Sequence, residues 1–301
     1  YYTIYLSNME KDQIIILEDR GLISVTGDDA KEFLQNIITN NIEKVDRNNS
    51  IYTALLSPQG KYLHVFFIIY VDDGYLIDCD NKSSEDLISI LSKYRLRSKV
   101  NLINLSSDYV VGVLNLSKFN EIQSEANRSS NTIIYRESPL FIDPRKKELG
   151  ARIISSLEKL HLTVKKLNLK IIDSSKYFNL AHHLGIPEKD SVNLKEKLFG
   201  LEANFEELNA IDFKKGCYVG QENTARMKLK NKLRRRLLAL KTNKEVEIGD
   251  DLNFGEIKIG KILIGNPYPF ALVKLYDPDL YDFKDKELNC RNAKVKIINS
   301  Y

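Results

Sequence analysis

Lys214-Lys215-Gly216-Cys217-Tyr218-Val219-Gly220-Gln221-Glu222 is the stretch of this 301-residue chain richest in groups able to do chemistry. Gly216 and Gly220 bracket a cysteine and a tyrosine, a spacing that allows tight turns and close approach of another group. Two lysines immediately upstream, together with free backbone amides near a helix start, favour the thiolate, the nucleophilic form of cysteine. Cys217 is therefore a candidate reactive thiol. The competing reading is a small buried hydrophobe, the commoner fate of a free cysteine. Cys79 and Cys290 lie far away in sequence, and the chain has no C-x-x-C pair. Three separated thiols form no disulfide framework, and the four histidines lack H-x-x-x-H spacing, so no protein-built metal site is expected.

The elements that must position this stretch follow from periodicity and turn chemistry. The length suits two or three packed units, and 43% hydrophobic with 29% charged residues describes an ordinary globular protein. The longest apolar run, residues 65–71, falls far short of the ~20 residues a membrane helix needs. Residues 1–8 show neither a basic leader nor an Arg-rich transit pattern, which predicts a cytoplasmic address. Residues 13–18 and 22–25 read as strands, followed by a helix capped near Asp28 with Phe33, Leu34, Ile37 and Ile38 on one face. Residues 51–56, 62–71 and 75–78 read as antiparallel strands joined by Ser57-Pro58-Gln59-Gly60 and Asp72-Asp73-Gly74. Ser83 and Ser84 are read as caps of a second helix carrying Leu87, Ile88, Leu91 and Tyr94, and Asp173 as the cap of a third over 174–184. Strand-like pieces at 233–240, 256–264, 271–275 and 293–298 predict a small C-terminal β-barrel or sandwich. The class is α+β, with an N-terminal region over 1–230, two interleaved subdomains, and a barrel over 231–301.

Lys215 to Glu222 reads K-G-C-Y-V-G-Q-E and runs on to Arg226, and in this it resembles the signature of YgfZ-type folate-binding proteins. These are relatives of the glycine cleavage T-protein and of mitochondrial iron–sulfur assembly factors. Weaker similarity is carried by Phe33-Leu34-Gln35 with Thr39-Asn40, by Ser57 to Lys61, and by Tyr94-Arg95-Leu96-Arg97 with Lys99-Val100. Asp143-Pro144-Arg145 with Leu149-Gly150, and Gly185 to Glu188, also match. The resemblance implies T-protein-like α+β units around a central folate pocket, followed by the barrel. It implies tetrahydrofolate or a derivative as cofactor, with Glu202 binding the pterin through two hydrogen bonds. Lys215, Tyr218, Gln221 and Arg226 would shape that site.

One departure bears on mechanism. T-proteins carry Asp-Asp on the strand after the Gly-rich turn, and here His64 and Val65 stand at those positions. Aminomethyl transfer thereby loses its evident carboxylate, with His64 as a substitute base or a structural residue. The expected role is a folate-dependent accessory factor for assembly or repair of iron–sulfur enzymes, including those that thiolate tRNA. The alternatives are a one-carbon transferase and an RNA-binding module using the basic run Lys228, Lys230, Lys232 and Arg234 to Arg236. Arg95, Arg97 and Lys99 alternate as on one strand face, a surface or a seat for the folate tail. The expected partners are folate and, transiently, iron–sulfur clients, with tRNA indirect, no membrane, and a monomeric chain.

Overall fold

A computed structural model describes residues 9–125, 130–230 and 233–298. Residues 1–8, read above as lacking a leader pattern, and Lys232 of the basic run lie outside the described residues. In chain order the elements begin with β1 (Gln13–Leu17), β2 (Arg20–Thr26), α1 (Ala30–Ile37), β3 (Ile51–Leu56), β4 (Tyr62–Val71), β5 (Gly74–Asp80) and α2 (Asn81–Arg95). Then come β6 (Asn101–Asn104), β7 (Val110–Leu114), α3 (Leu116–Glu125), β8 (Thr132–Tyr135), β9 (Ser138–Ile142), β10 (Ala151–Ser155), α4 (Leu157–Lys166), β11 (Lys170–Ile172) and α5 (Ser175–His183). After a long irregular stretch α6 (Gln221–Leu229) leads into β12 (Arg235–Thr242), β13 (Asp251–Phe254), β14 (Ile257–Ile264), β15 (Phe270–Lys274), α7 (Leu280–Phe283), β16 (Leu288–Cys290) and β17 (Ala293–Ile297).

The strands form a six-stranded sheet in the order β11-β1-β7-β10-β9-β8, a five-stranded sheet β3-β4-β5-β2-β6, and a closed barrel β12-β15-β14-β13-β16-β17. β1 and β11 pair in parallel, whereas β1–β7, β2–β5, β4–β5 and β12–β15 run antiparallel, β4–β5 through a tight hairpin. Period-two alternation then sorts the side chains. On the six-stranded sheet Ile14, Leu140 and Ile153 join Phe119, Ile122 and Leu160 of α3 and α4 in one apolar cluster. Inside the barrel Leu238, Leu240, Ile262, Val273 and Val295 close around Phe283.

Two compact units result. One joins the stretch ending at Leu55 with His64–Tyr177 and Leu208–Tyr218; the other joins Leu56–Leu63, Phe178–Glu207 and the stretch from Val219 that holds the barrel. Segments 56–63, 178–207 and 219–230, which the sequence reading sets with the N-terminal region, thus group with the barrel strands.

Local differences from the sequence reading have physical causes. The cap of α2 is Asp80, whose carboxylate accepts from the Lys82 N–H, while the Ser84 hydroxyl donates back to the Asn81 carbonyl. Helix α6 occupies part of what reads as a basic linker. The alternation of Arg95, Arg97 and Lys99 belongs to no strand, because α2 ends at Arg95 and β6 starts only at Asn101.

Candidate functional site

Lys215 is buried, and its ammonium donates to three carbonyls: Gln35 at 2.7 Å, Ile38 at 2.6 Å and Asn40 at 2.8 Å. Gln35 lies in the last turn of α1, Ile38 is its C-cap and Asn40 follows just beyond, and that last turn carries no basic residue of its own. Lys215 supplies the missing cation from far along the chain. Burial pushes its pKa down to about 8, against the opposing charge of Asp212. The same segment is tied further by Thr39 Oγ1 donating to the Ala210 carbonyl at 2.6 Å and by Asn40 Nδ2 donating to Asn209 at 2.9 Å. Tyr218 is also buried, its ring centroid 5.1 Å from the Lys215 ammonium.

Between these two inward-turned residues Cys217 is exposed. Its two counterparts are buried, and burial pushes the thiol of Cys79 up to about 12 and that of Cys290 up to about 11. The reading of Cys217 as a small buried hydrophobe is therefore corrected. All three protons of Lys215 are spent on carbonyls, so this lysine is a clamp on backbone. A Cβ at Gly216 would meet nothing within 4 Å, so close approach does not demand that glycine.

Gly220 does meet that demand. At φ +81° a Cβ there would lie 2.4 Å from the Ser57 carbonyl oxygen and 2.8 Å from Leu56 Cβ. Gly60, at φ +80°, faces it from the Ser57–Gly60 turn, and Asn223 Nδ2 donates to the Gln59 carbonyl at 2.7 Å. Two motifs distant in sequence are thus one pair of interlocked turns. Gln221 opens α6 half-buried; Glu222 and Arg226 pair on its surface at 2.6 Å, worth about 0.3–0.5 kcal/mol.

Glu202 is buried in the unit that holds the barrel. Its Oε2 accepts from the Phe199 N–H at 2.9 Å, and its Oε1 accepts from Arg235 Nε at 2.9 Å. A longer contact of 3.4 Å joins Arg235 to Oε2. A carboxylate has about four lone-pair sites, so bidentate recognition of a pterin would share or displace Arg235. Arg236 and Lys228 pair with Glu207 and Glu206. Three cations of the basic run therefore already hold acids of this unit.

His64 is buried on β4 with Nε2 2.7 Å from the Asp86 carboxylate of α2. The opposite face of β4 carries a charge cluster that sequence reasoning missed. Phe67 pairs across the sheet with Asp78, which Arg20 contacts at 2.5 Å and Arg152 at 2.7 Å. Arg145 binds Asp143 through two nitrogens, at 3.0 and 2.7 Å, and both Arg145 and Arg152 donate to the Tyr177 hydroxyl. The guanidinium carbons of Arg152 and Arg145 lie 4.3 and 4.7 Å from the Phe67 centroid, cation–π distances. The available signal was a charge flanked by apolar residues in each of two strands, Asp78 in β5 and Arg152 in β10.

With this architecture in view, residues 14–116 match the GCVT N-terminal domain. The glycine cleavage aminomethyltransferase T of Bartonella henselae superposes over 97% of this chain and 86% of its own, with a TM-score of 0.74 at 14% identity. The chain has the T-protein fold. In sequence it is 34% identical to a Neurospora crassa protein named iron-sulfur cluster assembly factor IBA57 homolog, mitochondrial, over 74% of this chain and 52% of that protein. Proteins of the same name match from Pyricularia oryzae, at 33% identity over 74% and 55%, and from Dictyostelium discoideum, at 27% over 78% and 64%. The chain spans about half the length of the first two. None of the three carries the YgfZ-type label. Their names also overturn the expected cytoplasmic address, since they place these relatives in the mitochondrion. No described helix is long and apolar enough to cross a membrane.

Proposed function

We propose that this chain is an accessory factor in iron–sulfur protein assembly that binds tetrahydrofolate or a derivative and presents Cys217 as its reactive group. The observation that carries the reading is the exposed thiol flanked by two inward-turned residues, Lys215 clamped on three carbonyls and buried Tyr218. Such a frame holds the backbone on both sides of a nucleophile in place. The names of the relatives supply the iron–sulfur context, and the T-protein fold supports folate as the ligand. Client proteins would include tRNA-thiolating enzymes. Aminomethyl transfer is disfavoured, because His64 is buried against Asp86 where a T-protein carries a catalytic carboxylate.

Complementation in a strain lacking its own factor, read out as activity of a cluster-dependent tRNA-thiolating enzyme, tests the role of the thiol. Cys217→Ser should fail to restore that activity while folding normally; full restoration would sink the thiol assignment. Calorimetry with tetrahydrofolate and its polyglutamates tests the ligand. Glu202→Gln should weaken binding by about 1.5–3 kcal/mol, the range for hydrogen bonds to a charged group. No heat from the folded wild-type protein would remove folate from the proposal.

A further inference from the structure

Arg95-Leu96-Arg97-Ser98 forms a tight turn between α2 and β6, closed by the Ser98 N–H donating to the Arg95 carbonyl at 2.8 Å. Leu96 occupies its second position at φ 45° and ψ −109°. Those angles are the first central position of a type II′ turn, which is built for glycine. A branched side chain there is strained. Burial does not compensate, because Leu96 is 88% exposed.

The turn is nonetheless fixed at its base. Lys99 N–H donates to Asp29 Oδ2 at 2.7 Å, and the Val100 N–H donates to the Ser98 carbonyl at 2.9 Å. Gly27, at φ +112°, packs so closely on the Lys99 carbonyl that a Cβ would lie 2.1 Å from its oxygen. Around the exposed leucine the sequence places Lys93, Arg95, Arg97 and Lys99 with no acid between them. All four are exposed; at the base of the turn the Lys99 ammonium lies 3.5 Å from Asp28, while Asp29 accepts from the Lys99 backbone. The result is a rigid prong with an apolar tip and a cationic collar.

We propose that this turn is a docking prong for a protein partner whose surface offers an apolar recess rimmed by carboxylates. Burial of the Leu96 side chain in a partner's recess would offset its strain beyond what the bonds at the base supply. Guanidinium groups pair bidentately with carboxylates, which suits an acidic rim. A membrane is disfavoured because a single leucine gives too small an apolar anchor. RNA is disfavoured because the tip carries no aromatic residue for stacking on bases. The inference stands apart from the folate reading and uses neither Cys217 nor Glu202.

The test uses the full chain and a phage-displayed library of random dodecapeptides as the probe. Selected peptides should carry two or more Asp or Glu residues around a bulky apolar one. Their affinity, measured by fluorescence anisotropy, should fall at least tenfold in Leu96→Gly and in Arg97→Ser and survive in Leu96→Met. Leu96→Gly should at the same time raise the denaturation midpoint, since glycine accepts the turn geometry, so lost binding is not lost folding. Peptides without acids, or equal binding by Leu96→Gly, would overturn the proposal. So would selective loss in that variant of binding to phosphatidylserine vesicles or poly(U), or of a wild-type dimer seen by light scattering.

Discussion

The cluster around Phe67 and the clamp at Lys215 both take cations out of water, and they neutralise them differently. At Phe67 the guanidiniums of Arg20, Arg145 and Arg152 meet two carboxylates, Asp78 and Asp143, and a tyrosine hydroxyl. At Lys215 one ammonium meets three carbonyl dipoles and a more distant Asp212. The first arrangement is closed: each charge depends on another buried charge. The second leaves only neutral acceptors if the cation is removed, and its neighbour Cys217 faces solvent. A self-paired charge cluster fixes structure, whereas dipoles hold a cation while leaving the residue two places on available for chemistry.

The sharpest way to break this comparison is Arg152→Ala. It leaves Asp78 buried with half its ionic support gone, and should cost about 3–5 kcal/mol in urea unfolding. A loss below 1 kcal/mol would mean that water reaches the cluster. Lys215→Met should cost less, about 1–3 kcal/mol, because the groups left behind are uncharged carbonyls. It also carries a pH signature. With its folded pKa near 8 and the ordinary lysine value at 10.5, the folded chain holds fewer protons than the unfolded chain between those values. Wild-type stability relative to Lys215→Met should therefore rise from pH 8 to 10.5, and a flat difference would contradict the lowered value. The smallest effect on stability is expected from Cys217→Ser, within about 0.5 kcal/mol as for an exposed site. In the folded protein iodoacetamide should label Cys217 alone, since burial holds Cys79 near 12 and Cys290 near 11. Equal labelling of all three, seen by peptide mass spectrometry, would erase the contrast.

Much of the fold was legible because its signals are local. The hairpin from β4 to β5 follows from Asp72-Asp73-Gly74, and the barrel strands from short apolar runs cut by glycine, proline and aspartate. Helix α6 was not legible. Thr224 is its only buried residue among those described, so it shows no apolar stripe, and its start rests on Gly220 without a side-chain cap. The Arg95–Lys99 alternation imitated a strand because charged turns and strand faces share a period of two over so short a run. At the site, sequence marked Cys217, Lys215 and Glu202 by motif, but their partners lie far along the chain. Nothing local links Lys215 to Gln35, or Glu202 to Arg235. The cluster around Phe67 showed only as charges set among apolar residues, because Arg20, Asp78, Arg145, Arg152 and Tyr177 meet only after strands from both sheets are in place.

The Lys215 clamp also sets a timetable. The three carbonyls it satisfies belong to residues 175 to 180 positions earlier in the chain. At the usual 5–20 residues per second of synthesis, roughly 9–36 s separate the appearance of those acceptors from that of their donor. Throughout that interval the carbonyls at the end of α1 lack their Lys215 donor and are left to water. A ribosome that stalls before it reaches Lys215 therefore carries a nascent chain with an open helix end, a natural mark for proteolysis.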